Sequence, residues 1–433
     1  MISSWLIQPC VSHTRMQFTH RLPIFGSRCL LTILFLCSST PALAIPPPPN
    51  NPPNAPLQRL DPKQYDLTVS VVIPWNQAYP PDGGAKNPIR WPLLPRSNWS
   101  FVVDSQPIEV ELHNGPQITK ESDAWYLCKP AAPEGQWDLQ IPISERCYGT
   151  LNFQIRMRMN TFSCQLDENA AARIGWPANW QGDSTGYMTP SDFIESDHDI
   201  FADAIADALH ADPQSMPVHH VAKSLIRYCL QKIKSDGQYE ERSRTNVRGL
   251  AVHGAVQTVK TGSGNACDLV CVCVATLRAA GIPARPVIGV TNTNIVGTHI
   301  TEPRYIVWAE YALPTSGWVP FDPQRMQGTV NNTPLIDSWQ GCGTMQFLNT
   351  RVPIAFSFVA GGVKDAFDAV GPWGWIPIYR GRPLPVPQDF VSIPWYKSAG
   401  EEVHVMVPYS PSIQNLGLVF VGTGSSTPSP AGQ

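Results

Sequence analysis

Charged side chains are scarce in this chain. Asp, Glu, Lys and Arg make up 15% of its 433 residues, against about 25% in an average soluble domain. The scarcity excludes a coiled coil, and the 43% of hydrophobic residues argues against global disorder. With 31 basic and 34 acidic residues the net charge is −3, so the basic excess that predicts nucleic-acid binding is lacking.

A long hydrophobic run is also lacking at the N-terminus. The apolar run there is far shorter than the ~20 residues that cross a bilayer, so no stable membrane span is expected. Residues 42–44, Ala-Leu-Ala, have the small-x-small form of a cleavage site. We therefore predict a signal peptide at 1–44, cleaved after Ala44, and a secreted, periplasmic or cell-envelope protein. A start at Met16 instead of Met1 would give a more usual signal length.

Cysteine is too sparse for a small disulfide-stabilised scaffold. Beyond the predicted signal peptide the cysteines are Cys128, Cys147, Cys164, Cys229, Cys267, Cys271, Cys273 and Cys342. Cys128 with Cys147 is the most plausible bridge because both flank predicted strands, and buried thiols are an equally good interpretation. The cysteines at 267–273 lack the spacing of a tetrahedral metal site, so no metal is predicted.

Proline, in contrast, is abundant, with 44 residues. Since proline interrupts helices, the chain is expected to consist of strands, loops and a few helices. Residues 45–60 are predicted to be a proline-rich spacer and 61–175 a β-rich N-terminal domain, in which apolar residues alternate along several segments. Residues 346–422 are predicted to be an extension rich in proline and aromatic residues, and 423–433 a disordered tail.

Helical periodicity begins near residue 190. Apolar residues four apart predict two amphipathic helices, one around Phe201 and one around Leu225. A third helix, at 266–280, is apolar nearly all round and is expected to be buried, with Asn265 as N-cap and Asp268 at N3. Strands are predicted to follow; these are 284–290, 305–311 and 317–321, and the last two form a hairpin.

Two motifs in this region are more specific than any other part of the sequence. Arg-Ala-Ala-Gly-Ile-Pro-Ala-Arg stands at 278–285, and Trp-Ala-Glu at 308–310 precedes Gly-Trp-Val-Pro-Phe-Asp-Pro at 317–323. Together they resemble the transglutaminase-like superfamily. The resemblance implies an α+β, papain-like fold in which helices pack on an antiparallel sheet. We assign this domain to 176–345, after the β-rich domain.

The resemblance also implies a Cys/His/Asp triad and no cofactor. In that family the thiol lies at a helix N-terminus, which stabilises the thiolate, and the imidazole acts as base. The family's cysteine position, about twelve residues before Arg278, is Ala266 here, and its histidine position is Ile306. The acid is present as Asp322 and is expected to lie roughly opposite Ile306 on the partner strand. The sequence therefore leaves open whether the protein is an enzyme.

Neighbouring residues offer an alternative triad. Cys267 follows Ala266 directly, although it points about 100° around the helix from the family's nucleophile. His299 or His253 would have to supply the base, and Asp322 would orient it. For either histidine, an ordinary surface or hydrogen-bonded role is the simpler interpretation.

Two hypotheses of function follow. In the first, the protein is exported and catalytically degenerate, and it acts as a binding or structural module for a peptide or a cell-envelope protein. Trp308, Glu310 and Trp318 would then retain the scaffold of the binding cleft. In the second, it is an active cysteine peptidase or protein-glutamine acyltransferase that uses Cys267.

Overall fold

A computed structural model gives the fold of most of the chain up to residue 358. The described residues are 55–73, 89–103, 108–114, 117–121, 128–131, 135–141, 151–236, 241–242, 248–249, 252–291, 304–358, 378–379, 382–383, 391–392, 395–397 and 402–403. The predicted signal peptide, Cys147 and the predicted tail at 423–433 lie outside them.

The described helices and strands fall into three regions of the chain. The helices are α1 (Glu168–Ala171), α2 (Ile200–Leu209), α3 (Val218–Lys232), α4 (Ala255–Thr261), α5 (Ala266–Ala279) and α6 (Pro323–Met326). The strands before α1 are β1 (Leu57–Ile73), β2 (Ile89–Leu93), β3 (Ser100–Val102), β4 (Glu109–Asn114), β5 (Gln117–Glu121), β6 (Cys128–Ala131), β7 (Gln136–Ile141) and β8 (Leu151–Leu166). The strands of the middle region are β9 (Lys234–Ser235), β10 (Glu241–Arg242), β11 (Arg248–Gly249), β12 (Ser263–Gly264), β13 (Ala284–Thr291), β14 (Arg304–Leu313), β15 (Gly317–Phe321), β16 (Trp339–Gln340), β17 (Gly343–Thr344) and β18 (Arg351–Ala355). The last strands are β19 (Ile378–Tyr379), β20 (Arg382–Pro383), β21 (Val391–Ser392), β22 (Trp395–Lys397) and β23 (Glu402–Val403).

The N-terminal region is a β-sheet structure, as the alternating sequence predicts. Its long strands β1 and β8 pair antiparallel along most of their length, and β4 and β5 extend that sheet on the β8 side. Ile155, Met157 and Met159 are buried while Arg156 between them is exposed, which is the alternation of a strand with one face on the core. Strands β2, β7 and β6 form a separate three-stranded sheet.

Strand β1 begins earlier than the predicted domain boundary. Leu57 and the three residues after it fall within the stretch predicted to be a spacer, yet they pair with the end of β8. Leu57 is buried, and burial of an apolar side chain stabilises pairing at this end of the strand.

A second, four-stranded sheet forms the core of the middle region. Its order is β15-β14-β13-β18, and every neighbouring pair is antiparallel. Helix α5 contacts β13 and β14 as well as α3 and α4. Every residue of α5 from Ala266 to Arg278 is buried, as its all-round apolar sequence predicts. The predicted helix-on-antiparallel-sheet arrangement and the β14–β15 hairpin are both confirmed.

The core sheet extends past the predicted end of the domain at residue 345. Strand β18 lies in the predicted extension, yet it pairs with β13 and its five residues are all buried. Farther on, β21 and β22 pair with β1.

The described cysteines and helices settle two further points. Cys164, Cys229, Cys267, Cys271, Cys273 and Cys342 are free thiols and are buried. Within the described residues, no helix is both long and apolar enough to cross a membrane.

Candidate functional site

The start of α5 carries the position that corresponds to the family's nucleophile. Asn265 caps the helix, and its Oδ1 accepts from the amides of Cys267 at 2.8 Å and Asp268 at 3.1 Å. In return Asp268 Oδ2 accepts from the Asn265 amide at 3.1 Å. This capping box satisfies amides that the first helical turn leaves without partners, and it confirms the predicted N-cap.

No thiol is accessible at this helix start. Ala266, at the family's cysteine position, is buried and offers only a methyl group. Cys267, the alternative nucleophile, is 0% exposed. The helix N-terminus favours a thiolate at this position, but a substrate carbonyl would reach the sulfur only if neighbouring side chains moved.

His253 is the histidine that the structure brings to the start of α5. Its Nδ1 lies 2.8 Å from Asp268 Oδ2, and its backbone amide donates to Asp268 Oδ1 at 2.7 Å. The side chain is 53% exposed. Its carboxylate partner is thus Asp268 and not Asp322. His299, the other candidate base, lies outside the described residues.

The family's histidine position is an internal position of the core sheet. Ile306 lies on β14, pairs with Gly289 of β13 and is fully buried. A Cβ at Gly289 would stand 2.6 Å from the Trp308 ring, so glycine is required for this ring to pack across the strand. An aliphatic side chain here can neither accept nor donate a proton.

Asp322 is held in a buried ion pair. Its Oδ2 lies 2.6 Å from Nη2 of Arg351 and 3.7 Å from Nε of Arg325, and its Oδ1 accepts from the Arg325 amide at 3.1 Å. Both Asp322 and Arg351 are buried. The carboxylate that would orient a triad imidazole therefore has a guanidinium as its main partner.

The predicted position of Asp322 opposite Ile306 is wrong. The last pair of the β14–β15 ladder is Ala309 with Phe321, which brings Asp322 level with Trp308. The strand ends there because Asp322 is the N-cap of α6, where its side chain accepts from the Arg325 amide.

The three predicted binding residues are buried. Glu310 accepts from Arg285, with Oε2 2.7 Å from Nη2 and 2.9 Å from Nε. Burial raises the pKa of Glu310, and the charge of Arg285 offsets part of that increase. The Arg285 guanidinium lies 3.9 Å from the centre of the Trp318 ring. The Arg351 guanidinium lies 5.5 Å from the centre of the Trp308 ring. All three residues thus make internal contacts of the core sheet.

The sequence contained no signal for two of these partners. Arg351 is 29 residues from Asp322 and lies outside both motifs. His253 is a candidate base from the sequence, but its bond to Asp268 depends on how the segment before α4 approaches α5.

A family model matches the part of the chain that carries this site. Residues 205–323 match the family model of the transglutaminase-like superfamily, a match that includes α5, both motifs and Asp322. The middle of this chain is therefore a transglutaminase-like domain. A search of curated proteins finds no match to the chain.

Similar solved structures include three distant ones. A candidate cysteine protease from Cytophaga hutchinsonii is 13% identical, with 69% of this chain and 83% of that chain covered and a TM-score of 0.39. Red sea bream transglutaminase is 12% identical, with 50% of this chain and 45% of that chain covered and a TM-score of 0.23. A candidate protease from Parabacteroides distasonis is 7% identical, with 62% of this chain and 70% of that chain covered and a TM-score of 0.20. Likenesses this distant carry no argument about activity.

Proposed function

We propose that the protein is exported and that its transglutaminase-like domain is catalytically degenerate, serving as a binding or structural module for a peptide or a cell-envelope protein. The observation that carries this proposal is the ion pair between Asp322 and Arg351, with 2.6 Å between the charged atoms. Asp322 is the one residue that matches the family's triad, and this ion pair occupies its carboxylate.

Each of the three positions argues against acyl transfer. The methyl group of Ala266 cannot attack a carbonyl, and Ile306 cannot remove a proton. The partner of Asp322 is the guanidinium of Arg351, which carries only hydrogen-bond donors and no acceptor and therefore cannot replace an imidazole as the base. The arrangement supports a scaffold that keeps the family's architecture without its proton transfers.

The scaffold in this proposal is maintained by Trp308, Glu310 and Trp318. These side chains are buried, so they would not contact the partner themselves. They would hold the core sheet in place, and residues around them would contact the partner. Binding is thus expected to depend on them through the geometry of the core sheet.

The proposal is tested by an assay of acyl transfer with the purified protein. Incorporation of a fluorescent primary amine into a glutamine-rich protein and hydrolysis of peptide amides are measured for the wild type and for Cys267→Ala. We expect the same background rate from both proteins. Product formation by the wild type that the variant lacks would contradict the proposal.

The alternative, an active peptidase or acyltransferase, is favoured by one observation. The exposed imidazole of His253 lies at the start of α5, with its Nδ1 on Asp268, as a base in a catalytic dyad would be oriented. In this scheme Cys267 Sγ attacks the acyl carbonyl and loses its proton to the imidazole, which then protonates the leaving amine. His299 stays a second candidate for the base, with Asp322 as orienter. The His253 scheme requires Cys267→Ala and His253→Ala to abolish the same product.

Export is tested on the protein isolated from cells that produce it. N-terminal sequencing is expected to start at Ile45 in protein recovered outside the cytoplasm, because cleavage is predicted after Ala44. Recovery of an intact N-terminus from the cytoplasm would contradict this part of the proposal.

A further inference from the structure

Two cavities adjoin at the turn that joins β14 to β15. The first, of about 600 Å³, is lined by the start of β1, by residues 95–98 and by Phe356. The second, of about 540 Å³, is lined by residues 177–181, the end of β14 and the start of β15. The cavities form one groove because four residues line both of them; these are Asn98, Asp183, Thr315 and Gly317.

The walls of this groove are aromatic and held in place. Trp137 and Phe356 line the first cavity, and Trp180 and Trp318 line the second. The Arg285 guanidinium lies 3.6 Å from the centre of the Phe356 ring and 3.9 Å from that of the Trp318 ring. One cation therefore contacts a ring of each cavity. Trp180 Nε1 donates to a backbone carbonyl just beyond α5 at 2.9 Å, which fixes the orientation of its indole.

Uncharged polar side chains complete the lining. Three of them carry amide groups, which can donate to carbonyl oxygens; they are Asn98, Asn179 and Gln181. Aromatic walls with such donors suit a proline-rich segment in polyproline II form. The rings of such a segment pack against aromatic side chains, and its carbonyls have no internal hydrogen bonds.

The chain itself carries such a segment next to the groove. Ala55 lines the first cavity. The Pro56 carbonyl accepts from the Asp167 amide at 2.8 Å, and β1 begins at Leu57, so the chain is anchored at the groove wall. Residues 45–54, which lie outside the described residues, directly precede this anchor. They contain six prolines and no charged side chain.

The length of this segment is sufficient for the groove. At about 3.1 Å per residue in polyproline II form, ten residues reach about 31 Å, whereas each cavity, if round, is about 10 Å across. A segment attached at the wall of its own binding site acts at a millimolar effective concentration. Weak contacts are therefore enough for it to occupy the groove.

We propose that residues 45–54 bind in this groove, with their prolines against Trp137, Trp180 and Phe356 and their carbonyls on the amide side chains. The proposal does not depend on whether the triad is active. Since β15 runs from Gly317 toward Asp322, the groove lies about 17 Å along the strand from that carboxylate, at ~3.3 Å per residue.

The test is competition between this segment and the same sequence added as a peptide. In a quadruple variant of the full chain, serine replaces the prolines at 46–49. An amidated, fluorescein-labelled peptide of residues 45–54 is titrated with the wild type and with this variant, and fluorescence polarisation is measured. We expect the peptide to bind the variant at least about tenfold more tightly, because the wild-type segment competes for the groove. Equal affinity for both proteins, or no binding to either, would overturn the proposal.

Further variants locate the binding site. Trp180→Leu, added to the quadruple variant, is expected to weaken peptide binding about fivefold or more. Trp176→Leu is the matched control, since Trp176 is also half-buried and donates to a backbone carbonyl at 2.8 Å but lines neither cavity. Circular dichroism checks that each variant is folded. Equal affinity of the two folded tryptophan variants would overturn the proposed site even if the peptide binds.

Discussion

Two buried arginine–carboxylate pairs on the core sheet have the same chemistry and different settings. Arg285 and Glu310 face each other across β13 and β14, and the guanidinium lies between the rings of Trp318 and Phe356. Arg351 reaches from β18 to Asp322, at the end of β15. The first pair belongs to the family's motifs, whereas the second joins the family's catalytic acid to an arginine outside them.

Under the proposed degeneracy, the two pairs differ in role, since only one of them occupies a residue of the family's triad. The pair of Arg285 and Glu310 stabilises the sheet at a distance from the triad positions. The pair of Arg351 and Asp322 gives a buried carboxylate a counterion in a domain whose family histidine position is Ile306. A buried charge without a partner is strongly destabilising, so in our account the arginine compensates for the missing histidine.

The largest effect is expected from Arg285→Ala. The substitution leaves Glu310 buried without its counterion and removes the group that stacks on two aromatic rings. We expect the free energy of unfolding to fall by about 3–5 kcal/mol, as measured by urea denaturation. A loss below about 1 kcal/mol would show that this pair does not hold the sheet.

A smaller loss, about 3 kcal/mol or less, is expected from Arg351→Met. Arg325 Nε stays 3.7 Å from Asp322 and offsets part of the missing charge. The double variant Asp322→Asn/Arg351→Met should be more stable than Arg351→Met alone, because no carboxylate is then left unpaired. Strictly additive losses in this double-mutant cycle would mean that the two residues are not coupled.

The N-cap of α5 is an uncharged interaction, and the effect of removing it can be compared with the effect of removing either ion pair. Asn265→Ala removes the acceptor for two amides at the helix start, so unfolding free energy should fall by about 1 kcal/mol. Asn265→Ser, which keeps an uncharged acceptor at the cap, is the matched control and should lose less. Equal losses for Ala and Ser would contradict the role of this side chain as a cap.

A pH dependence is expected from the buried His219, a group outside both pairs. Its ring nitrogens lie 2.6 Å from Tyr311 Oη and from Glu168 Oε2, and burial lowers its pKa below the usual 6.5. The unfolded chain therefore takes up a proton first as the pH falls. Stability should drop below pH about 6.5, by at most about 1.4 kcal/mol at pH 5.5.

The control for this pH dependence is His219→Gln. The variant should show a flatter pH dependence of its melting temperature between pH 7.5 and 5.5, whatever its stability at neutral pH. The same slope in both proteins would assign the effect to other groups.

The sequence was sufficient for the elements whose signals are local. The apolar helix α5, its capping box and the β14–β15 hairpin follow from periodicity and turn residues within short windows. The pairing of β18 with β13 could not be predicted, because it joins segments separated by some sixty residues with no motif in β18. The resemblance to the family implied the triad positions, but it gave no sign of Arg351, whose guanidinium contacts Asp322.

The central claim, that the domain has no working nucleophile, is tested most directly by the alkylation rates of its thiols. Folded protein is treated with iodoacetamide at pH 7, and labelling of Cys267, Cys271 and Cys273 is followed by mass spectrometry. Burial raises the pKa of Cys271, and a hydrogen bond with Cys229 together with burial raises that of Cys273, so both are slow references. Our account predicts that Cys267 reacts no faster than they do. Selective, rapid labelling of Cys267 that His253→Ala abolishes would contradict it.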